Sequence, residues 1–249
     1  MVALAADLGM ALDPVRFARA GGIDPDPWQA RVLRSQAPRI LLNCSRQSGK
    51  STVTSVLALH TALYDPGSLT LIVSRAERQS ERLFRKCMVA YARLGRPVPA
   101  KREGALFLEL ENGSEIVALP GKEDTIRSFS AVRLLLIDEA AKVPDDLYRT
   151  VRPMLAVSEG RLVGLSTPYG TRGWWHEAWR SDERWERYEV PATQCPRISP
   201  EFLAEEEKAL GAWWYQQEYL CQFLDGQSQA FRQEDVDQAF REEVEPWAL

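Results

Sequence analysis

Eight consecutive residues, Cys44-Ser45-Arg46-Gln47-Ser48-Gly49-Lys50-Ser51, have the types and spacing to hold a phosphate chain. They satisfy the pattern G-x-x-x-x-G-K-[ST] at every fixed position but the first, where Cys44 stands for Gly. Small residues let the backbone N–H groups from Ser45 to Thr52 curl around an anion, and the N-terminus of a following helix adds partial positive charge. Lys50 is the side chain expected to reach the β- and γ-phosphates of ATP, and Ser51 the hydroxyl expected to ligate Mg²⁺. A second reactive group follows in Asp138-Glu139, directly after the apolar run Leu134-Leu135-Leu136-Ile137. Ionised carboxylates at the end of a buried strand are costly without a cation. Asp138 is therefore expected to hold Mg²⁺ through its water shell, and Glu139 to orient and polarise the attacking water. Ser166-Thr167-Pro168 at a further strand end offers hydroxyls to sense the γ-phosphate and relay its loss. Upstream, Gln29 of Pro27-Trp28-Gln29 carries an amide that can pair with the edge of adenine.

These residues need an open α/β sheet to bring them to one edge, since ligands bind there at the carboxyl ends of parallel strands. Short β-rich apolar runs alternate with longer helical patterns, which predicts a mostly parallel α/β sheet. The runs lie at 39–44, 69–74, 133–138, 160–165 and 185–190, and the near-continuous apolar character of 133–138 implies burial on both faces. Segments 105–110 and 114–119 flank Asn112-Gly113, a hairpin signal. Helices are expected at 50–64, 76–94, 145–156, 174–181, 200–210 and 212–224.

Composition narrows the class. With 249 residues, 45% hydrophobic and 27% charged, the chain suits one large globular domain with a small appendage, not a disordered or disulfide-scaffold protein. No apolar stretch is long enough to span a bilayer, and the N-terminus lacks the basic region of a signal peptide, so an intracellular protein is expected. Four scattered cysteines without a C-x-x-C pair, and only two histidines, argue against a zinc site. The net charge of −4 hides an asymmetry, for residues 200–249 hold 3 basic against 12 acidic side chains. The helix beginning near Ala76 carries Arg78, Arg82, Arg85 and Lys86, a basic stripe suited to following a DNA phosphate backbone. The Glu81–Arg85 spacing equally suits a solvated face. Trp174, Trp175 and Trp179 read as core packing.

In order along the chain, Pro-Trp-Gln at 27–29, Arg-Gln-Ser-Gly-Lys-Ser at 46–51, Ile-Arg at 126–127, Leu-Ile-Asp-Glu-Ala-Ala at 135–140 and Ser-Thr-Pro at 166–168 resemble the ATPase domain of the large terminase subunit, the motor that packages DNA into tailed-phage heads. Glu218-Tyr219-Leu220-Cys221-Gln222-Phe223 is similar to the family's Glu-Tyr-x-x-x-Phe element, so the resemblance covers roughly residues 25–225. It implies a P-loop NTPase core of the additional-strand, RecA-like class over 1–198, with helices on both faces, and an acidic helical lid over 199–249. It further implies ATP-driven translocation of double-stranded DNA, assembly as a ring, commonly a pentamer, on the portal protein with the small terminase subunit, and action in the host cytoplasm. By resemblance Arg46 takes part in nucleotide handling, and Arg127 matches a trans-acting arginine finger. Ser128 stands where Gly often follows that Arg, and Arg133 is a rival. The usual C-terminal nuclease finds no room after residue 226, so no DNA cleavage is expected of this chain. Two other readings stay open: the RecA-like lobe of a helicase, and a nucleotide-regulated binding module without turnover.

Overall fold

The computed structural model describes residues 2–120, 126 and 128–225. Three helices, α1 (Val2–Leu12), α2 (Pro14–Ala20) and α3 (Pro27–Arg34), precede the first strand. None of the three is among the helices expected from sequence, although α2 and α3 each start with the Asp-Pro signature of an N-cap followed by proline. There follow β1 (Arg39–Cys44), α4 (Lys50–Tyr64), β2 (Leu69–Ser74) and α5 (Glu77–Arg93). Three short strands come next, β3 (Ala100–Glu103), β4 (Phe107–Leu110) and β5 (Glu115–Pro120). The chain continues through β6 (Val132–Asp138), α6 (Asp145–Val151), β7 (Arg161–Ser166), α7 (Trp174–Arg180) and β8 (Glu186–Val190). Helices α8 (Pro200–Leu210) and α9 (Ala212–Glu218) close the described chain.

The strands form one eight-stranded sheet in the order β3-β4-β5-β2-β6-β7-β1-β8. All pairings from β5 to β8 are parallel, and β3 and β4 are added antiparallel at one edge. Strand β7 lies between β1 and β6, so one extra strand separates the phosphate loop from the carboxylate pair, as the resemblance implied. Burial on both faces has its expected physical form. Ile40, Leu42, Leu134 and Leu136 enter the core under α2 to α5, whereas Leu41, Leu135 and Ile137 enter the core on the opposite face with Trp174 and Trp175. Alternate side chains of a strand point to opposite faces, so each central strand feeds both cores.

Differences from the expected boundaries have local causes. The helix expected over 145–156 breaks at Arg152-Pro153 into α6 and a 3₁₀ turn, Arg152–Leu155, because proline lacks the N–H that a continued helix needs. The helix expected over 212–224 ends at Glu218, and Cys221 takes a left-handed φ of 60°. Strand β3, with sequence Ala-Lys-Arg-Glu, has no signature in the sequence because it is an exposed, charged edge without apolar alternation. The Asn112-Gly113 hairpin forms, with the Asn112 amide donating to the Ala62 carbonyl at 2.8 Å and fastening the turn to the end of α4.

Gly164 lets α7 reach the sheet. A Cβ there would lie 2.8 Å from Trp175 Cζ3, under a buried indole with no room to retreat. Gly164→Ala should therefore cost about 1–3 kcal/mol, read as a loss of several degrees in thermal midpoint, whereas Gly67→Ala, with nothing within 4 Å of its Cβ, carries only the cost of its φ of +76°. A Gly164→Ala midpoint equal to that of the wild type would show that the indole yields freely.

Candidate active site

Because β1, β6 and β7 are parallel neighbours, their carboxyl ends deliver Cys44, Asp138 and Ser166 to one edge of the sheet. Cys44 is fully buried at the end of β1, and burial pushes its thiol well above the usual range. The position therefore demands a side chain that fits the core, and Cys satisfies it in place of Gly. Beyond it the loop curls through two left-handed residues, Gln47 with φ 62° and Gly49 with φ 93°. Glycine at 49 has a second reason: a Cβ there would lie 2.5 Å from Gln29 Nε2. The Ser48 hydroxyl donates to the Ser45 carbonyl at 2.9 Å. Lys50 opens α4, is 9% exposed, and turns back to donate to the carbonyls of Cys44 at 3.3 Å and Ser45 at 3.2 Å.

Asp138 ends β6 almost fully buried, and burial, with the Glu139 carboxylate adjacent, pushes its acid up to about 6. Glu139 adopts φ 51° and ψ 41°, a left-handed conformation that costs a branchless side chain about 1 kcal/mol. That turn leaves its backbone N–H on Asp138 Oδ1 at 3.0 Å, and its carboxylate accepts from Lys142 Nζ at 3.2 Å. Lys50, Ser51, Asp138 and Glu139 line one cavity of about 520 Å³, together with Arg46 and Arg197. Among the described residues no group of three or more His, Cys, Asp or Glu is placed to hold a metal. One buried carboxylate beside a serine hydroxyl is a hard oxygen set, and it fits Mg²⁺, which usually takes one or two carboxylates and completes its shell with phosphates and water.

Gln29 reaches the loop but is already engaged. Its Oε1 accepts from the Asp26 N–H at 2.9 Å in the capping box of α3, and its Nε2 faces the Ser48 and Gly49 carbonyls at 3.5 and 3.4 Å. Arg197, which the sequence offered no signal for, clamps Asp26 at 2.8 and 2.6 Å and donates to the Ser48 carbonyl at 3.1 Å. Glu218, read from sequence only as part of an echo, accepts from Arg46 Nε at 2.5 Å, and its carbonyl accepts the Arg46 N–H at 3.2 Å. Ser166 and Thr167 are buried, and the Ser166 hydroxyl has no hydrogen-bond partner among the described residues.

The basic stripe divides. Arg85 pairs with Glu81 at 2.5 Å on the exposed side of α5, but Arg82 and Lys86 line the phosphate-loop cavity, and Lys86 Nζ donates to Thr52 Oγ1 at 3.2 Å. Arg78, at the start of the stripe, is exposed and does not line that cavity. Arg133 sits at the far, amino-terminal end of β6, where it pairs with Asp65 at 2.6 Å and donates to the Ser158 carbonyl. Arg127 lies outside the described residues. Trp174 and Trp175 are core residues: Trp174 stacks on Tyr148 with centroids 4.1 Å apart, and its indole N–H donates to the Val143 carbonyl at 3.0 Å.

This phosphate loop, carboxylate pair and sheet order define a RecA-like P-loop NTPase fold. The chain belongs to the family described as terminase large subunit, T4likevirus-type, N-terminal, whose family model matches residues 41–238. This decides between the readings left open above, in favour of terminase over a helicase lobe. Large terminase subunits of Thermus virus P23-45 and Thermus phage G20c are each 25% identical over 234 residues, covering 82% of this chain and 47% of their own length. The chain thus spans about half the length of the curated relatives it matches. The large terminase ATPase domain of Thermus phage P74-26 superposes with a TM-score of 0.75 at 22% identity, covering 84% of this chain and 98% of that one. A large terminase of a thermophilic bacteriophage in complex with ADP superposes with a TM-score of 0.66 at 14% identity, covering 80% of this chain and 54% of the other. Among the described residues no helix is long and apolar enough to cross a membrane.

Asp138 makes the site a source of instability in the free protein. Its folded value lies above the unfolded value of 3.8, so the neutral acid stabilises the fold at low pH and that contribution is lost as pH rises through about 6. The full loss at pH 8 is roughly 3 kcal/mol. In metal- and nucleotide-free buffer, Asp138→Asn should raise the thermal midpoint by several degrees at pH 8. The difference from wild type should narrow as pH falls from about 6 toward 4. Midpoints that stay equally far apart across that range would remove the strain from Asp138.

Proposed function

We propose that this chain is the ATP-hydrolysing motor domain of a phage large terminase and that it drives double-stranded DNA into a procapsid. The observation that carries this reading is the shared cavity in which Lys50, Ser51, Asp138 and Glu139 meet. The backbone from Ser45 to Thr52, including Gln47, Ser48 and Gly49, cradles the phosphates, and the Lys50 ammonium exchanges two carbonyl partners for β- and γ-phosphate oxygens. Ser51 and Asp138 would hold Mg²⁺, which would supply positive charge to neutralise what develops on those oxygens. Glu139, released from Lys142, orients a water for in-line attack. Gln29 closes the adenine side of the loop. Arg46 exchanges Glu218 for the nucleotide, and so links the phosphate loop to the acidic helical segment that begins near residue 199. Ser166 and Thr167, on the strand between β1 and β6, relay loss of the γ-phosphate. The nucleotide complexes of the thermophilic-phage terminase, with ADP and with ATP-gamma-S, support the same use of the fold.

Assembly follows from the same reading. The partners are duplex DNA, the portal protein, the small terminase subunit and further copies of this chain in a ring, commonly a pentamer, in the host cytoplasm. Arg127 serves as the finger on the neighbouring subunit's γ-phosphate.

Two experiments test these assignments. Lys50→Ala should abolish hydrolysis and weaken nucleotide binding by at least roughly tenfold. Glu139→Gln should bind ATP as wild type does but fail to hydrolyse it. Full hydrolysis by either variant refutes the site. For the finger, Arg127→Ala should lose about 10³–10⁵ in rate with nucleotide affinity nearly intact, and mixing it with Glu139→Ala protein should restore part of the activity. Absence of rescue in rings shown to be mixed would return Arg127 to its own subunit.

A further inference from the structure

The face of α5 that turns toward the phosphate loop carries Gln79, Arg82 and Lys86, and all three line the cavity that holds Lys50 and Asp138. Its orientation is set by packing. Ser80, Leu83, Phe84, Cys87, Ala90 and Tyr91 are buried against the sheet, which turns positions 79, 82 and 86 toward the phosphate-loop cavity, while Arg85 stands further outward beside Arg82 and lines only the neighbouring surface cleft. Lys86 is held in place by Thr52, whose hydroxyl accepts its ammonium proton at 3.2 Å in the first turn of α4, one residue after Ser51. Both Lys50 and Asp138 act on the Lys86 charge, and burial with the nearby Lys50 ammonium pulls Lys86 below the usual lysine range. Asp138 offsets part of the cost of holding these cations in a half-buried cleft, and a polyanion entering it would supply the anionic partners that, among the described residues, Lys86 and Arg82 still lack there. Gln79 adds a second, independent observation. Its Oε1 is buried and has no hydrogen-bond partner among the described residues. An acceptor is the wrong group for a bare phosphate oxygen and the right one for a donor, such as water bound to Mg²⁺.

We propose that α5 forms a second, cis-acting wall of the nucleotide site, in which Lys86 and Arg82 bind phosphate oxygens opposite Lys50 and Gln79 accepts from metal-bound water. This rests on the reading of the phosphate loop given above. It also removes Arg82 and Lys86 from a DNA-tracking stripe, leaving Arg78 and Arg85 of that stripe facing outward.

The test compares equilibrium binding of ATP-gamma-S and of adenosine, with Mg²⁺ and with EDTA, to wild type, Lys86→Gln, Arg82→Gln, Lys86→Arg, Gln79→Leu and Lys50→Ala, with duplex DNA binding measured against salt for each. Lys86→Gln and Arg82→Gln should each raise the Kd for ATP-gamma-S by roughly tenfold and leave adenosine binding unchanged. Lys86→Arg should restore most of the affinity, and Gln79→Leu should weaken binding only with Mg²⁺ present. DNA affinity and its salt slope should not move. Unchanged ATP-gamma-S affinity in the Lys86 and Arg82 variants, with Lys50→Ala impaired, overturns the second wall alone. A fall in DNA affinity with a shallower salt slope returns these side chains to DNA and overturns it as well. If Lys50→Ala also binds ATP-gamma-S normally, the phosphate-loop reading itself fails and the wall with it.

Discussion

A buried ammonium must be surrounded by oxygen, and among the described residues Lys50 finds it in the carbonyls of Cys44 and Ser45. Those carbonyls face inward because the loop between β1 and α4 reverses through the left-handed residues Gln47 and Gly49. The same reversal turns successive N–H groups toward the mouth of the cavity. The loop can reverse so tightly because β1 is clamped between β7 and β8, and because Ser45 N–H donates to the Val190 carbonyl at the end of β8. Lys50 is thus held by two neutral oxygens, and an anionic phosphate chain would be a better partner than either.

Across the cavity the electrostatics run the other way. Asp138 is buried where its charge is poorly solvated and Glu139 adds a second negative group beside it, so the free site is held above its minimum energy by a carboxylate that a divalent cation would satisfy. The left-handed turn at Glu139 belongs to the same design. A strand continued in register would carry that carboxylate along the sheet, whereas the turn directs it away from the strand, with Lys142 holding it. Strain and desolvation are both concentrated within two residues of the cavity, a distribution typical of functional sites.

The segment after α9 ties this edge to the acidic helices. Glu218 engages Arg46 through side chain and backbone, the Tyr219 carbonyl accepts from the Ala192 N–H at 2.7 Å, and the Cys221 carbonyl accepts from the Asn43 amide at 2.9 Å. Three residues within this short stretch thereby touch the phosphate loop, the turn after β8 and the end of β1. A change in the partner of Arg46 would be felt directly by α9, because Glu218 is the last residue of that helix.

The phosphate loop, the carboxylate pair, the hairpin at Asn112-Gly113 and the strands β1, β2, β6 and β7 were legible in the sequence within a residue or so, because each is defined by neighbours along the chain: a glycine turn, an apolar run, a strand end. The short charged strand β3 was not, since an exposed edge has no apolar pattern to read, and α2 and α3 were overlooked although their caps were written in Asp13-Pro14 and Asp26-Pro27. What the tertiary structure alone decided is which distant groups meet. Arg46 and Glu218 are 172 residues apart in sequence, and Arg197 finds Ser48 from a position 149 residues away. Arg82, Arg85 and Lys86 look like one basic stripe in the sequence, yet Arg82 and Lys86 face the cavity and Arg85 faces Glu81. Composition and spacing determine that a helix has a charged side, but the rotation of that helix about its axis is set by how Leu83, Phe84 and Tyr91 seat in the core, and only that packing determines which of its charges reach the phosphate loop.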